Sequence, residues 1–152
     1  MSVQPPKESE LLAPVVAMFD LSGYVTVLEA KLSRKRIDLL FVPNSDCHWI
    51  AVELKVSSWK RALWQASLNS QLAEFSYVAL WEGSVASALT HQELFKSYGV
   101  GIISVGVDSA SIVLHPAYCP NSTRPRQQAD ILQKIAGSKK DGHIGPLSLL
   151  SA

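Results

Sequence analysis

Between Arg36 and Lys55 the chain reads Arg-Ile-Asp-Leu-Leu-Phe-Val-Pro, then a polar turn, then His-Trp-Ile-Ala-Val-Glu-Leu-Lys. Both runs are rich in β-branched and aromatic residues, and Pro43-Asn44-Ser45-Asp46 between them is a turn cluster, so a β-hairpin is expected. Side chains alternate across a strand, which puts Ala51, Glu53 and Lys55 on one face and Ile50, Val52, Leu54 and Val56 on the other. Glu53 and Lys55 are then neighbours, roughly 6.6 Å apart along the strand. Asp38 interrupts the partner run between Ile37 and Leu39. Charged residues are seldom taken into a sheet without a partner or a metal, because desolvation costs several kcal/mol per ion. Three such residues on adjacent strands therefore mark the hairpin as a candidate site.

An acid on one strand, Glu-x-Lys on the next and then a helix carrying Gln65 resembles the PD-(D/E)XK nuclease superfamily, with Ile37 at the position of the motif's proline. The resemblance covers the first half to two-thirds of the chain. It implies a restriction-endonuclease-like αβββαβ core, an α/β fold with a mixed central sheet flanked by helices. It also implies a metal-dependent phosphodiesterase, a DNA endonuclease or exonuclease, with Mg²⁺ (Mn²⁺ as substitute) held by Asp38 and Glu53. Lys55 would position or activate the attacking water and Gln65 would assist. A further acid often comes from the first helix of such proteins. Here Glu8 and Glu10 are the candidates, and Glu10 is preferred for its distance from Gly23. The alternative is a catalytically inactive nuclease-fold module that binds nucleic acid or a protein partner.

Taken in order, apolar residues from Leu11 to Phe19 recur at helical spacing, with Pro14 either in a first turn or at a kink. Tyr24 to Leu32 alternates as a strand, and the turn after it is basic through Lys31, Arg34, Lys35 and Arg36. Ser57-Ser58 is a candidate cap for a helix to about Leu72, with Trp59, Ala62, Leu63 and Ala66 as one apolar stripe and Trp64, Leu68, Leu72 and Phe75 as a second. Phe75 to Trp81 should form a strand parallel to that of Glu53. A helix near Leu89 to Tyr98, ended by Gly99, precedes two runs, Val100 to Val107 and Ala110 to His115, that should extend the sheet. Residues 1–115 are read as the nuclease-like domain and 116–152 as a basic, partly helical C-terminal extension of it, with a helix between Gln127 and Ala136.

A net charge of +1 imposes no broadly basic surface, so contact with nucleic acid, DNA first, must come from local patches. Arg36, Lys60 and Arg61 are the candidates. The histidines lack zinc-ligand spacing, and Cys47 and Cys119 make no disulfide framework. No apolar run is long enough for a membrane span, and a cytoplasmic protein is expected. Homodimerisation through Trp64 or Trp81 would double the basic surface, though core packing is the commoner fate of such tryptophans.

Overall fold

The computed structural model describes residues 4–19, 23–32, 35–43 and 48–120. The chain opens with a 3-10 turn, Glu8–Leu11, that runs straight into helix α1, Leu12–Met18. Pro14 falls within the first turn of α1, where the amide hydrogen it lacks would have had no partner inside the helix. Strands β1 (Tyr24–Leu32), β2 (Lys35–Pro43) and β3 (Ile50–Lys55) follow, then helix α2 (Trp59–Asn69) and strand β4 (Phe75–Trp81). An unexpected helix, α3 (Glu82–Leu89), follows β4, and the helix expected from near Leu89 to Tyr98 is α4 (Gln92–Tyr98), the two parted by Thr90 and His91. Gly99 closes α4 with φ of 70°, a left-handed cap that costs glycine nothing. Strands β5 (Val100–Val105) and β6 (Ala110–Leu114) complete the set.

The six strands form one mixed sheet in sequential order. The β1-β2-β3 meander is antiparallel, α2 and the α3-α4 pair are the crossovers that make β3, β4 and β5 parallel, and β6 turns back against β5. The sheet is covered on both faces, as parallel strands require. Leu11 and Val15 cover one face over Leu39, Phe41, Val52, Leu54, Tyr77, Ala79 and Ile103. On the other, Trp59, Ala62, Leu63 and Ala66 of α2 pack with Val85, Ala88 and Phe95 over Val78, Leu80 and Ile102. Residues 52 and 54 meet the first layer and Ala51 the second, which is the alternation expected from the sequence.

Three expectations are corrected. Ser58 makes no side-chain cap to α2; the first turn is held instead by main-chain bonds, Trp59 N to Ser57 O at 2.8 Å and Ala62 N to Ser58 O at 3.3 Å. The second stripe divides: Leu72, past the end of α2, is buried and Leu68 and Phe75 are half-buried, while Trp64 is turned to solvent. Trp64 is five residues beyond Trp59, about 140° round the helix, and 64% exposed, whereas Trp81 is buried. The last two strands end two and one residues earlier than expected. Beyond β6 the chain returns across the sheet's lower end, where Ala117 N bonds Gly99 O and Cys119 N bonds Glu74 O. The buried Glu74 carboxylate accepts from Trp49 N at 3.1 Å, tying the start of β3 to that of β4. The helix expected between Gln127 and Ala136, with the rest of the C-terminal extension past Pro120, lies outside the described residues.

Candidate functional site

The site begins with an interruption in the sheet. β1 and β2 pair rung by rung from Tyr24 and Pro43 to Leu32 and Lys35, except where Glu29 stands opposite Asp38. In a regular strand residues two apart share a face. Here Leu28 and Leu39 pack on the first face, while Ala30 and Ile37, two residues further along each strand, pack on the second. Both strands therefore rotate at the Glu29 and Asp38 rung. Glu29 absorbs the rotation with φ of 50°, the one non-glycine residue with positive φ among those described. A side chain held there costs on the order of 1–3 kcal/mol.

On its other edge β2 pairs β3 only from Phe41 and Ile50 to Leu39 and Val52, although β3 continues beside β4 as far as Lys55 and Leu80. Continuing the register would have set Asp38 opposite Glu53. Instead β2 leaves, and the Asp38 carboxylate fills the gap: its Oδ2 accepts a hydrogen bond from Leu54 N at 3.0 Å. The wedge between the parting strands is an open cleft of about 310 Å³, walled by Asp38, Leu54, Leu28, Glu29 and Arg36 and closed on one side by Glu8, Ser9 and Leu12. Lys55 Nζ lies 3.6 Å from Glu8 Oε1, both side chains partly exposed. Arg36 and Glu29 approach to 3.9 Å across more open surface.

The candidate residues are thus divided. Asp38, Glu8 and Arg36 line the cleft, and Lys55 is tied to it through Glu8. Glu10 turns back along its own turn, where Oε1 accepts from Lys7 N at 3.0 Å, so the acid that the first helix brings to the cleft is Glu8. Glu53 is 2% exposed, with Oε1 accepting from Asn69 Nδ2 at 2.8 Å under α2. Gln65 is half-buried on α2. Lys60 and Arg61 are exposed on the same helix, with Lys60 Nζ 5.8 Å from the Trp59 ring centre. Sequence reasoning missed Asn69. It follows Ala62 and Ala66 at the spacing of the buried stripe, and an amide on such a stripe signals a polar partner on the sheet below.

Chemically, the cleft offers oxygen donors from Asp38 and Glu8 beside the cations Arg36 and Lys55. A carboxylate has about four acceptor directions, so the Leu54 bond uses only one of those on Asp38. Hard oxygen donors of this kind fit Mg²⁺, which keeps several waters and needs few protein ligands. Among the described residues no three His, Cys, Asp or Glu side chains are gathered as a ready-made metal cage. Burial in the first core layer pushes the Tyr77 hydroxyl above its ordinary range.

No protein-family model and no curated protein matches the chain. Among solved structures, the fold is similar to that of SPO1766, a protein of unknown function from Silicibacter pomeroyi. The TM-score is 0.62 at 18% identity, over 93% of this chain and 95% of that one. Identity at that level speaks for the fold alone. No helix among the described residues is long and apolar enough to cross a membrane.

Proposed function

We propose that the protein is a metal-dependent phosphodiesterase of restriction-endonuclease-like architecture acting on nucleic acid, DNA being the first substrate to test. The observation that carries this reading is the Asp38 carboxylate bonded to Leu54 N at 3.0 Å where β2 parts from β3, in a cleft that also receives Glu8. Asp38 and Glu8, with the carbonyl of Leu54, are the oxygen donors that would hold Mg²⁺. The ion would supply charge stabilisation for a phosphodiester and acidify a bound water. Arg36 would pair with a phosphate oxygen of the substrate. Lys55 Nζ, 3.6 Å from Glu8, is the group suited to orient the attacking water and handle its proton.

The test is cleavage of labelled single- and double-stranded DNA and RNA with Mg²⁺ or Mn²⁺, comparing wild type with Lys55→Ala. Loss of cleavage in the variant with Mn²⁺ binding retained supports the reading. Equal activity in both proteins rejects it.

A second reading rests on Glu53. Its carboxylate is buried and bonded to Asn69, which suits a structural acid better than a metal ligand. In that reading the domain binds nucleic acid or a protein without cutting, and wild type lacks metal-stimulated cleavage while still retaining a nucleic-acid or protein ligand at the cleft.

A further inference from the structure

The outward face of α2 carries an arrangement that the cleft does not use. Trp59, Ala62, Leu63, Ala66 and Asn69 face the sheet, so Lys60, Arg61 and Trp64 point the opposite way at about 100° per residue. Arg61 and Lys60 precede Trp64 by three and four residues, the spacings at which helix side chains are neighbours, with Cβ atoms about 5–6 Å apart. Trp64 is 64% exposed, an indole left in water on a helix with no acidic residue. Lys60 and Arg61 are its only charges. A flat π surface with two cations one turn away on the same side of the helix, Lys60 Nζ lying 5.8 Å from the adjacent Trp59 ring, matches a nucleotide: the base stacks on Trp64 and its phosphates meet the cations.

We infer that Trp64, Lys60 and Arg61 form a stacking platform for single-stranded nucleic acid on the α2 side of the sheet, the face opposite the one that carries Leu12 and Leu54 of the cleft. Stacking on the indole needs an unpaired base, and this selects a single strand over a duplex. A second copy is the poorer occupant, because a two-fold contact would set Lys60 and Arg61 against their own equivalents. The inference names the substrate class of the proposed nuclease and so rests on that reading.

The experiment is fluorescence anisotropy of a labelled oligodeoxythymidine, and of a duplex of equal length, with full-length protein in EDTA so that nothing is cut. Trp64 is exposed, so Trp64→Ala should fold, and circular dichroism confirms it. The expected result is roughly tenfold or greater loss of single-strand affinity in Trp64→Ala, little loss in Trp64→Phe, and a smaller change for duplex. Lys60→Ala with Arg61→Ala should flatten the slope of log affinity against log salt by about 1.4, from two phosphate contacts on a single strand. Unchanged affinity in Trp64→Ala overturns the platform, as does a wild-type dimer that Trp64→Ala breaks without altering strand binding. Asp38→Asn separates the two proposals. Single-strand affinity lost in Trp64→Ala but kept in Asp38→Asn supports the platform whether or not cleavage is found. Cleavage by a wild type whose affinity ignores Trp64 leaves the nuclease standing and removes the platform.

Discussion

Asn69 Nδ2 donates to Glu53 Oε1 at 2.8 Å, with both side chains out of solvent between α2 and β3. A buried acid without its donor bears the cost of desolvation, and a hydrogen bond to a charged acceptor contributes about 1.5–3 kcal/mol. Asn69→Ala should therefore destabilise the fold by about 2–4 kcal/mol. Glu53→Gln, which keeps an acceptor for the amide, should cost less. The pair acts as a unit, so Glu53→Ala with Asn69→Ala should cost less than the sum of the single changes. Urea denaturation of wild type, the three single variants and the double variant decides the point; additive losses would mean that the bond contributes nothing of its own.

Asp38 does two separable things, holding Leu54 N and lining the cleft. Asp38→Asn keeps an oxygen for the Leu54 amide and should leave the urea midpoint within about 0.5 kcal/mol of wild type, while Asp38→Ala should cost about 1–2 kcal/mol. Both should lose Mn²⁺ binding alike if the carboxylate is a ligand. A stable Asp38→Asn that still binds Mn²⁺ as wild type does would remove Asp38 from the metal site.

Much of this was legible from the chain and some was not, for physical reasons. Strands β1 and β4 were read to the residue, because alternation and apolar runs leave little choice once one face is buried. The order of helix, three strands, helix and strand follows from the same patterning. The geometry of the site did not follow. A regular hairpin sets Asp38 across from Glu53, but alternation rules assume a continuous ladder, and this one stops at Leu39 and Val52. Nothing in the residue types of Glu29 and Asp38 announces a rotation of both strands at that rung. The choice between Glu8 and Glu10 likewise turned on a local competition, since Glu10 is captured by the main chain of its own turn.

Glu29 gives a direct probe of that rotation. Its φ of 50° suits glycine better than glutamate, and its ion pair with Arg36 is long and exposed, so little else is lost on removing the side chain. Glu29→Gly trades strain relief of on the order of 1–3 kcal/mol against a loss of about 0.5–1 kcal/mol for glycine in a strand. The variant should be as stable as wild type or more so, by up to about 2 kcal/mol. Glu29→Val, β-branched and least tolerant of positive φ, should be destabilised by at least about 1 kcal/mol. Thermal denaturation of the two variants reads the difference, and a Glu29→Val protein more stable than Glu29→Gly would show that the strand is regular at this rung.

Tyr77 links the core to alkaline stability. Its ring sits in the first core layer, 5.5 Å from Phe19 in an edge contact, and burial pushes its hydroxyl above the ordinary value of 10.0. The folded state therefore holds the phenolic proton at a pH where the unfolded chain has begun to release it. Below pH 10 both states keep the proton and this group makes stability independent of pH. Above that the unfolded state binds fewer protons, so stability falls as pH rises towards the raised value in the fold. Tyr77→Phe has no such proton. Urea midpoints at pH 8 and about pH 11 should fall further for wild type than for Tyr77→Phe, the difference coming from this one ionisation. Parallel losses in the two proteins would place the Tyr77 hydroxyl in contact with water rather than in the core.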